Sequence, residues 1–453
     1  MKIFTNKLLY GIICCLLTFP VLPAFCGPYT LIEIPSIFDP LGSGARAIGR
    51  GGAFIGVADD ATAASWNPGG LVLVKRKPEF SIVYSYMDRN ECIEFKNYPD
   101  VKGGNSIFEQ DINFISGTIS FEQWNRNMAV SITYQHLYDF YREWRFIMHD
   151  ISDLESYVDQ WHYRQDGRLS ALGLTYCIQV TPVFSFGVTL NIWDDDISPN
   201  QWHQSYHIET RGFLDPYGLP EPYSETIHKT ETYEFKGINA NLGLMWIVNK
   251  QLHIGAVFKT PFQADIQHKI VTYRNTEYPQ FPDDNYKGTT VIDRKESMNM
   301  PLSFGIGCSY KVNRNLSLSA DIYRTEWDDF SYEDSLGNKT CPITRMPYHK
   351  SDVDPTYQVR LGGEYLFINE VNETIIPVRW GLFYVPSPAE NNPDNYYGLS
   401  LGTGFTQNNV FSFDIAYQFR YGNDVSEFLF KEVNFTQDVK EHMLYASMII
   451  YQF

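Results

Sequence analysis

Asp194-Asp195-Asp196, followed by His203 and His207, are the residues that most invite a metal reading. Carboxylates hold hard divalent cations and imidazoles hold softer ones, and His203 and His207 share a face if that segment is extended. The chain carries a net charge of −17, however, so an acidic run is expected as solvated surface or as a site for lipopolysaccharide-linked cations. Asp328-Asp329, after Trp327, reads in the same way as a solvated rim. Cys92, Cys177, Cys308 and Cys341 follow the leader without any C-x-x-C spacing. Cys177 and Cys308 fall on opposite faces by alternation, whereas Cys92 and Cys341 lie in long connections and could pair. No G-x-S-x-G element supplies a hydrolase nucleophile. "GRGGAFIG" imitates a dinucleotide loop, but no strand precedes it and no βαβ unit follows. The chain therefore reads as a non-enzyme with no cofactor and no metal site, and its acidity excludes a nucleic-acid partner.

The elements that carry these residues are strands. From residue 78 onward, large apolar side chains alternate with Gly, Ser, Thr, Asn or charges, as at Met128–Tyr134, Phe184–Ile192, Leu302–Val312 and Tyr397–Phe405. The connections alternate in length. Short ones fall near 122–127, 179–182, 249–250, 313–315, 369–372 and 407–409. Long ones fall near 88–110, 138–166, 194–236, 261–297, 327–355, 386–395 and 423–438. This sorting, with about fourteen segments, predicts an all-β, closed antiparallel barrel crossing an outer membrane. Closure is required because lipid satisfies no backbone hydrogen bond. Lys2 and Lys7 followed by Leu8–Leu22 predict a secretory signal over 1–26, cleaved after Cys26.

"FSFDIAYQFRYGND" (411–424) sharpens the two faces. Phe411, Phe413, Ile415, Tyr417, Phe419 and Tyr421 are expected toward lipid, and Asp414 and Arg420 toward the lumen. The same alternation assigns Asp321, Arg360, Glu364 and Arg379 to the lumen, where charge is cheaper than in lipid. On the last strand Met448, with Ala446 and Ile450, is assigned inward, making that inner face apolar. Tyr451 and Phe453 then face lipid, and the terminal aromatic resembles the signal read by the barrel assembly machinery.

Residues 27–77 do not alternate. Gly and Ala dominate "LGSGARAIGRGGAFIGVADDATAASWNPGGL", and Asp59-Asp60 before "ATAASW" suggests a short capped helix stopped by Pro68. With Gly52, Ala58-Asp59-Asp60-Ala61 and Trp66-Asn67-Pro68, this stretch resembles the hatch of the long-chain fatty acid outer-membrane transporters, also known as outer membrane protein transport proteins. The resemblance continues in "LHIGAVFKTPF" (252–262), "PLSFGIGCSYKVNRNLSLSADIYRTEWDDF" (301–330) and "IIPVRWGLFYVPSP" (375–388); the family's N-P-A is Asn67-Pro68-Gly69 here. It implies a fourteen-stranded barrel (78–453) plugged by a hatch (27–77). The implied protein is a monomer among outer-membrane lipid and lipopolysaccharide that takes up hydrophobic small molecules, fatty-acid-like or hydrocarbon, passively. Inward Arg residues then either hold the hatch or meet a carboxylate cargo. Family relatives also include secretion-system barrels with a similar hatch, so a protein partner is the alternative.

Overall fold

The computed structural model describes residues 42–451 apart from 75–77, 152–154, 215–220, 408–409, 428 and 430–433. The leader with its cleavage point and Phe453 lie outside the described residues. Fourteen staves form one closed antiparallel sheet. They are β1 (Glu79–Phe95), β2 (Lys102–Gln123), β3 (Arg126–Asp139 continuing as Arg142–Ile151), β4 (Glu155–Thr181) and β5 (Phe184–Trp193 continuing as Asn200–Leu214). Next come β6 (Glu221–Ile247), β7 (Leu252–Lys259 continuing as Phe262–Glu277), β8 (Tyr286–Met300 then Ser303–Lys311), β9 (Leu316–Thr325) and β10 (Thr356–Asn369). β11 (Thr374–Tyr384), β12 (Tyr397–Gln407), β13 (Phe411–Val425) and β14 (Phe435–Ile450) complete the barrel. The closing seam pairs β1 with β14 from Phe80↔Ile450 to Phe95↔Phe435.

Membrane crossing needs only about 9–11 tilted residues per strand. β4 and β6 each run for 27 residues, so the wall continues far above its apolar belt as a collar. Much of 138–166, 194–236 and 261–297, expected as loops, is therefore strand. The reason is solvent. A wall standing in water on its outer side needs no apolar outward face, so the hydropathy alternation fades while Thr, Tyr and Ile still favour pairing. The collar joins the belt at strand breaks, including Thr260-Pro261 on β7 and Pro301-Leu302 on β8, where proline removes a ladder donor. At the opposite rim Trp124 and Asn125, both at positive φ (54° and 55°), turn β2 into β3, as a two-residue hairpin requires.

The belt's outward face carries Phe413, Ile415, Tyr417 and Tyr421, all exposed, while Ser412, Asp414, Ala416, Gln418 and Arg420 are buried. β14 corrects the expectation for its last residues. Met448 is 38% exposed on the outward face, and Ile449, expected outward, is buried. Tyr451 is half-buried. Both faces of this strand are apolar near its end, so alternation there cannot choose. Glu441 decides it, because this carboxylate must sit between Arg89 and Arg420 inside the barrel. The four cysteines are free thiols, Cys92 exposed and Cys341 buried, so no Cys92–Cys341 bridge forms.

Residues 42–74 lie inside this barrel. They form a five-residue helix α1 (Ala45–Gly49), a shorter helix α2 (Ala63–Trp66) and a 3₁₀ turn (Pro68–Leu73). Asp60 supports α2 by accepting from the Thr62 amide (2.9 Å) and hydroxyl (2.6 Å). Ala45, Ile48, Phe54, Ala63, Trp66 and Leu71 pack in one core with Met87, Phe114, Met245 and Tyr445 of the wall.

Candidate functional site

Small residues let the inner segment and the wall meet backbone to backbone. Gly51 (φ 68°) lies against Gly381 of β11, and a Cβ on Gly381 would collide with the Gly51 amide and the Arg50 carbonyl carbon. Gly52 (φ 73°) rests on the Arg360 and Trp66 side chains. Asn67 is a two-way tie. Its Nδ2 donates to the carbonyls of Ile55 and of Leu244 on β6, both at 2.9 Å, and its Oδ1 accepts from Gly69 at 3.0 Å. Pro68 then starts the 3₁₀ turn, where its missing N–H is no loss. Trp66 Nε1 donates to the Ser43 carbonyl at 2.7 Å.

The charged lumen residues converge on this segment. Glu364 of β10 receives three guanidinium groups: Arg379 at 2.7 Å, Arg50 at 3.3 Å and Arg46 at 3.4 Å. Arg46 also reaches Asp59 (2.5 Å) and Asp60 (3.2 Å), and Arg379 reaches Asp414 (2.6 Å). Asp321 accepts from the amides of Phe54 (2.7 Å) and Ile55 (2.8 Å). Arg360 lies 5.9 Å from the Trp66 ring and bonds Gln358. Removing one member of a buried ionic set typically costs about 3–5 kcal/mol, because the remaining charge is stranded. The network therefore fastens the inner segment. It also leaves the guanidinium groups of Arg46, Arg50 and Arg379 engaged with internal carboxylates rather than facing open space.

Arg420 is not part of this set. It pairs with Glu441 at 2.7 Å, and Glu441 also meets Arg89, which pairs with Glu91 as well (2.7 Å). Met448 is on the outer face and Tyr451 lies past the end of β14, so neither joins it. Sequence reasoning missed Arg46 and Arg50, although two arginines four apart in a Gly/Ala-rich stretch were a visible signal.

Toward the collar the inner segment is roofed by small cavities. The first, about 60 Å³, is walled by Met87, Leu137, Phe383, Val385, Met443 and Tyr445, with Glu109, His136 and Gln418 as polar groups. A second, about 50 Å³, lies over Trp66 and Ile55 and is closed by Tyr323, Trp327 and Arg360. A third, about 40 Å³, adjoins both, sharing Leu137 with the first and Tyr138 and Lys259 with the second. The Gln418 side chain is fully buried, and neither its amide nitrogen nor its oxygen has a partner among the described residues. Glu109, His136 and Asp139 come close enough to suggest an ion. His136, however, spends both ring nitrogens on carboxylates, Asp111 at 2.9 Å and Asp139 at 2.7 Å, leaving no lone pair for a metal. The Asp194-Asp195-Asp196 run is occupied too. Asp194 and Asp196 each hold the Lys236 ammonium at 3.0 Å, and Asp195 accepts from the Asn200 amide.

Above the cavities the collar is filled by rings. Phe140, Trp202, Tyr233 and His268 stack in sequence with centroids 4.5, 4.6 and 4.0 Å apart. Gly167 (φ 131°) makes this possible, since a side chain there would strike Trp202. Glu296 ends the stack, accepting from His268 Nδ1 at 2.7 Å and from the Tyr332 hydroxyl of the β9–β10 connection.

The family model described as outer membrane protein transport protein (OMPP1/FadL/TodX) matches residues 42–446. Among solved structures, the toluene transporter TbuX of Ralstonia pickettii is similar at 14% identity and TM-score 0.52, covering 91% of this chain and 99% of that one. The CymD monoaromatic hydrocarbon channel is similar at 14% identity and TM-score 0.53, covering 92% and 99%. The Pseudomonas putida toluene transporter TodX gives 13% identity and TM-score 0.53, with the same coverage. At such identities these likenesses concern the fold alone. No curated protein matches.

Proposed function

The chain belongs to the outer membrane protein transport protein family, and from that premise we propose that it admits small neutral hydrophobic molecules, of single-aromatic-ring size, across the outer membrane. The collar faces the exterior, in keeping with short periplasmic turns and taller extracellular ends in such barrels. Residues 42–74 act as the hatch, with Gly52, Asp59, Asp60, Trp66, Asn67 and Pro68 holding its shape.

One observation carries the choice of cargo. The cavities over the hatch are small and mix Met, Phe, Tyr and Trp with polar groups, Gln418 and Arg420 in the first and Lys259 and Arg360 in the second, while Arg46, Arg50, Arg379 and Arg420 are already bound to carboxylates. A long-chain carboxylate seated on Arg46, Arg50 or Arg379 would have to displace Glu364, Asp59, Asp60 or Asp414, and it would outgrow each cavity. A compact apolar ring displaces no carboxylate and, although larger than any one cavity at rest, needs far less widening than an acyl chain. The relatives of this fold that carry toluene and monoaromatic hydrocarbons point in the same direction. Gln418 supplies one unsatisfied donor and acceptor, which suits a ring bearing a single hydroxyl as well as a plain hydrocarbon. In passage, the cargo enters from the collar, occupies the roofing cavities in turn, and leaves when the hatch shifts away from Glu364 and Asp321.

The test is equilibrium binding to the purified barrel of fluorinated toluene, fluorophenol and a fluorinated palmitate, read by fluorine NMR. Binding of the ring compounds, with phenol affinity lowered in Gln418→Leu, is expected. Palmitate bound in preference to both would overturn the cargo, and failure to hold any of the three would favour the protein-partner reading.

A further inference from the structure

The collar's outer face brings together three histidines that lie far apart in the chain. In the strand register His162 of β4 pairs with His207 of β5, and His207 pairs with His228 of β6. The three imidazoles therefore occupy one cross-strand row, where directly opposed Cβ atoms lie roughly 4.5–5.5 Å apart. All three point outward. Their strand neighbours Trp161, Tyr163 and Ile208 are buried inside the collar, whereas the His162 and His207 side chains are 40% and 39% exposed. The His207 and His228 ring centroids are already 5.8 Å apart. Carboxylates stand beside the row, Glu209 at 3.2 Å from His207 Nε2 and Glu143 at 3.0 Å from His162 Nε2. An open groove of about 780 Å³ borders His162, His207 and Glu209 and extends past His149.

We propose that His162, His207 and His228, with Glu209, form a surface site for a divalent transition metal of the zinc and copper class. Three imidazoles and one carboxylate match the ligand preference and count of such ions, and leave little for calcium or magnesium, which want oxygen. The His162 and His207 side chains are partly water-exposed, so their rings have room to turn toward a shared ion. The surroundings suit the role, because this face is polar, carrying Arg145, Arg164 and Thr230, and stands clear of the apolar belt. His203, on the same strand face, bonds Thr232 at 2.9 Å and lies outside the row. Nothing in the sequence spacing shows the site, since only the register joins its three strands. Imidazole must be neutral to ligate, so acid weakens binding.

The experiment uses tag-free full-length barrel in the Cys92→Ser background, which removes an exposed thiol. Zinc retained after equilibrium dialysis at micromolar Zn²⁺ is counted by mass spectrometry, alongside heat-modified gel mobility as a check of barrel integrity. About one zinc per chain is expected, with affinity reduced roughly tenfold or more in His207→Ala/His228→Ala and unchanged in His203→Ala. Zinc held equally by the double variant, or no zinc held by the parent, overturns the site.

Discussion

The hatch-level lumen and the collar interior are both largely buried, yet they are held by different means. Around the hatch, glycine-to-backbone and guanidinium-to-carboxylate contacts, as at Gly51–Gly381 and Arg379–Glu364, surround a small apolar core of Phe54, Trp66 and Leu71. In the collar the rings of Phe140, Trp202, Tyr233 and His268 stack face to face. Ionic and backbone contacts can be exchanged for water with modest change in surface area. Stacked rings can only be separated by exposing large apolar area. On the proposed function, the difference assigns the motion to a hatch that water can release and leaves the collar as the rigid entrance.

That contrast can be broken by pairing substitutions. Trp202→Ala should lower barrel stability by about 3–5 kcal/mol without opening a pore, and Glu364→Ala should cost about 3–5 kcal/mol and raise ion conductance in planar bilayers. Thermal unfolding and conductance measured on both variants check this; conductance raised by Trp202→Ala instead would erase the distinction. Next in size, Ile415→Arg on the lipid face should cost about 2–4 kcal/mol and impair insertion in folding assays, whereas Asp414→Ala should insert and leak. Gly381→Val forces a side chain into the Gly51 backbone, an overpacking of about 1–3 kcal/mol. It should loosen the hatch to limited proteolysis, while Gly117→Ala, facing open space, should not.

The smallest effect concerns the rim. Burial lifts the Asp394 carboxyl to about 7, while its Oδ2 accepts from the Ser426 amide at 2.6 Å. The folded state thus binds a proton more tightly than the unfolded chain does. Its contribution is complete below the unfolded value near 4 and is lost as pH rises through about 7. The β11–β12 connection that carries Asp394 should accordingly show faster amide exchange at pH 8 than at pH 5 after correction for intrinsic rates, and Asp394→Asn should flatten that difference.

The barrel was legible because lipid imposes a period of two on the belt strands, and the same period separates Asp414 from Ile415 on β13. It failed where the environment stopped distinguishing the faces. On β14 both faces are apolar, so Met448 was misplaced, and in the collar both sides tolerate polar groups, so strands passed for loops. Partner choice was hidden for another reason. Glu364 draws Arg46 and Arg50 from more than 300 positions away, and no spacing rule carries that distance.

The proposed selectivity is for compact neutral rings over long-chain carboxylates. Uptake of radiolabelled toluene and palmitate by porin-deficient cells producing this chain tests it most directly. Saturable acceleration of toluene with palmitate unchanged is the expected result; palmitate accelerated while toluene is not would contradict it.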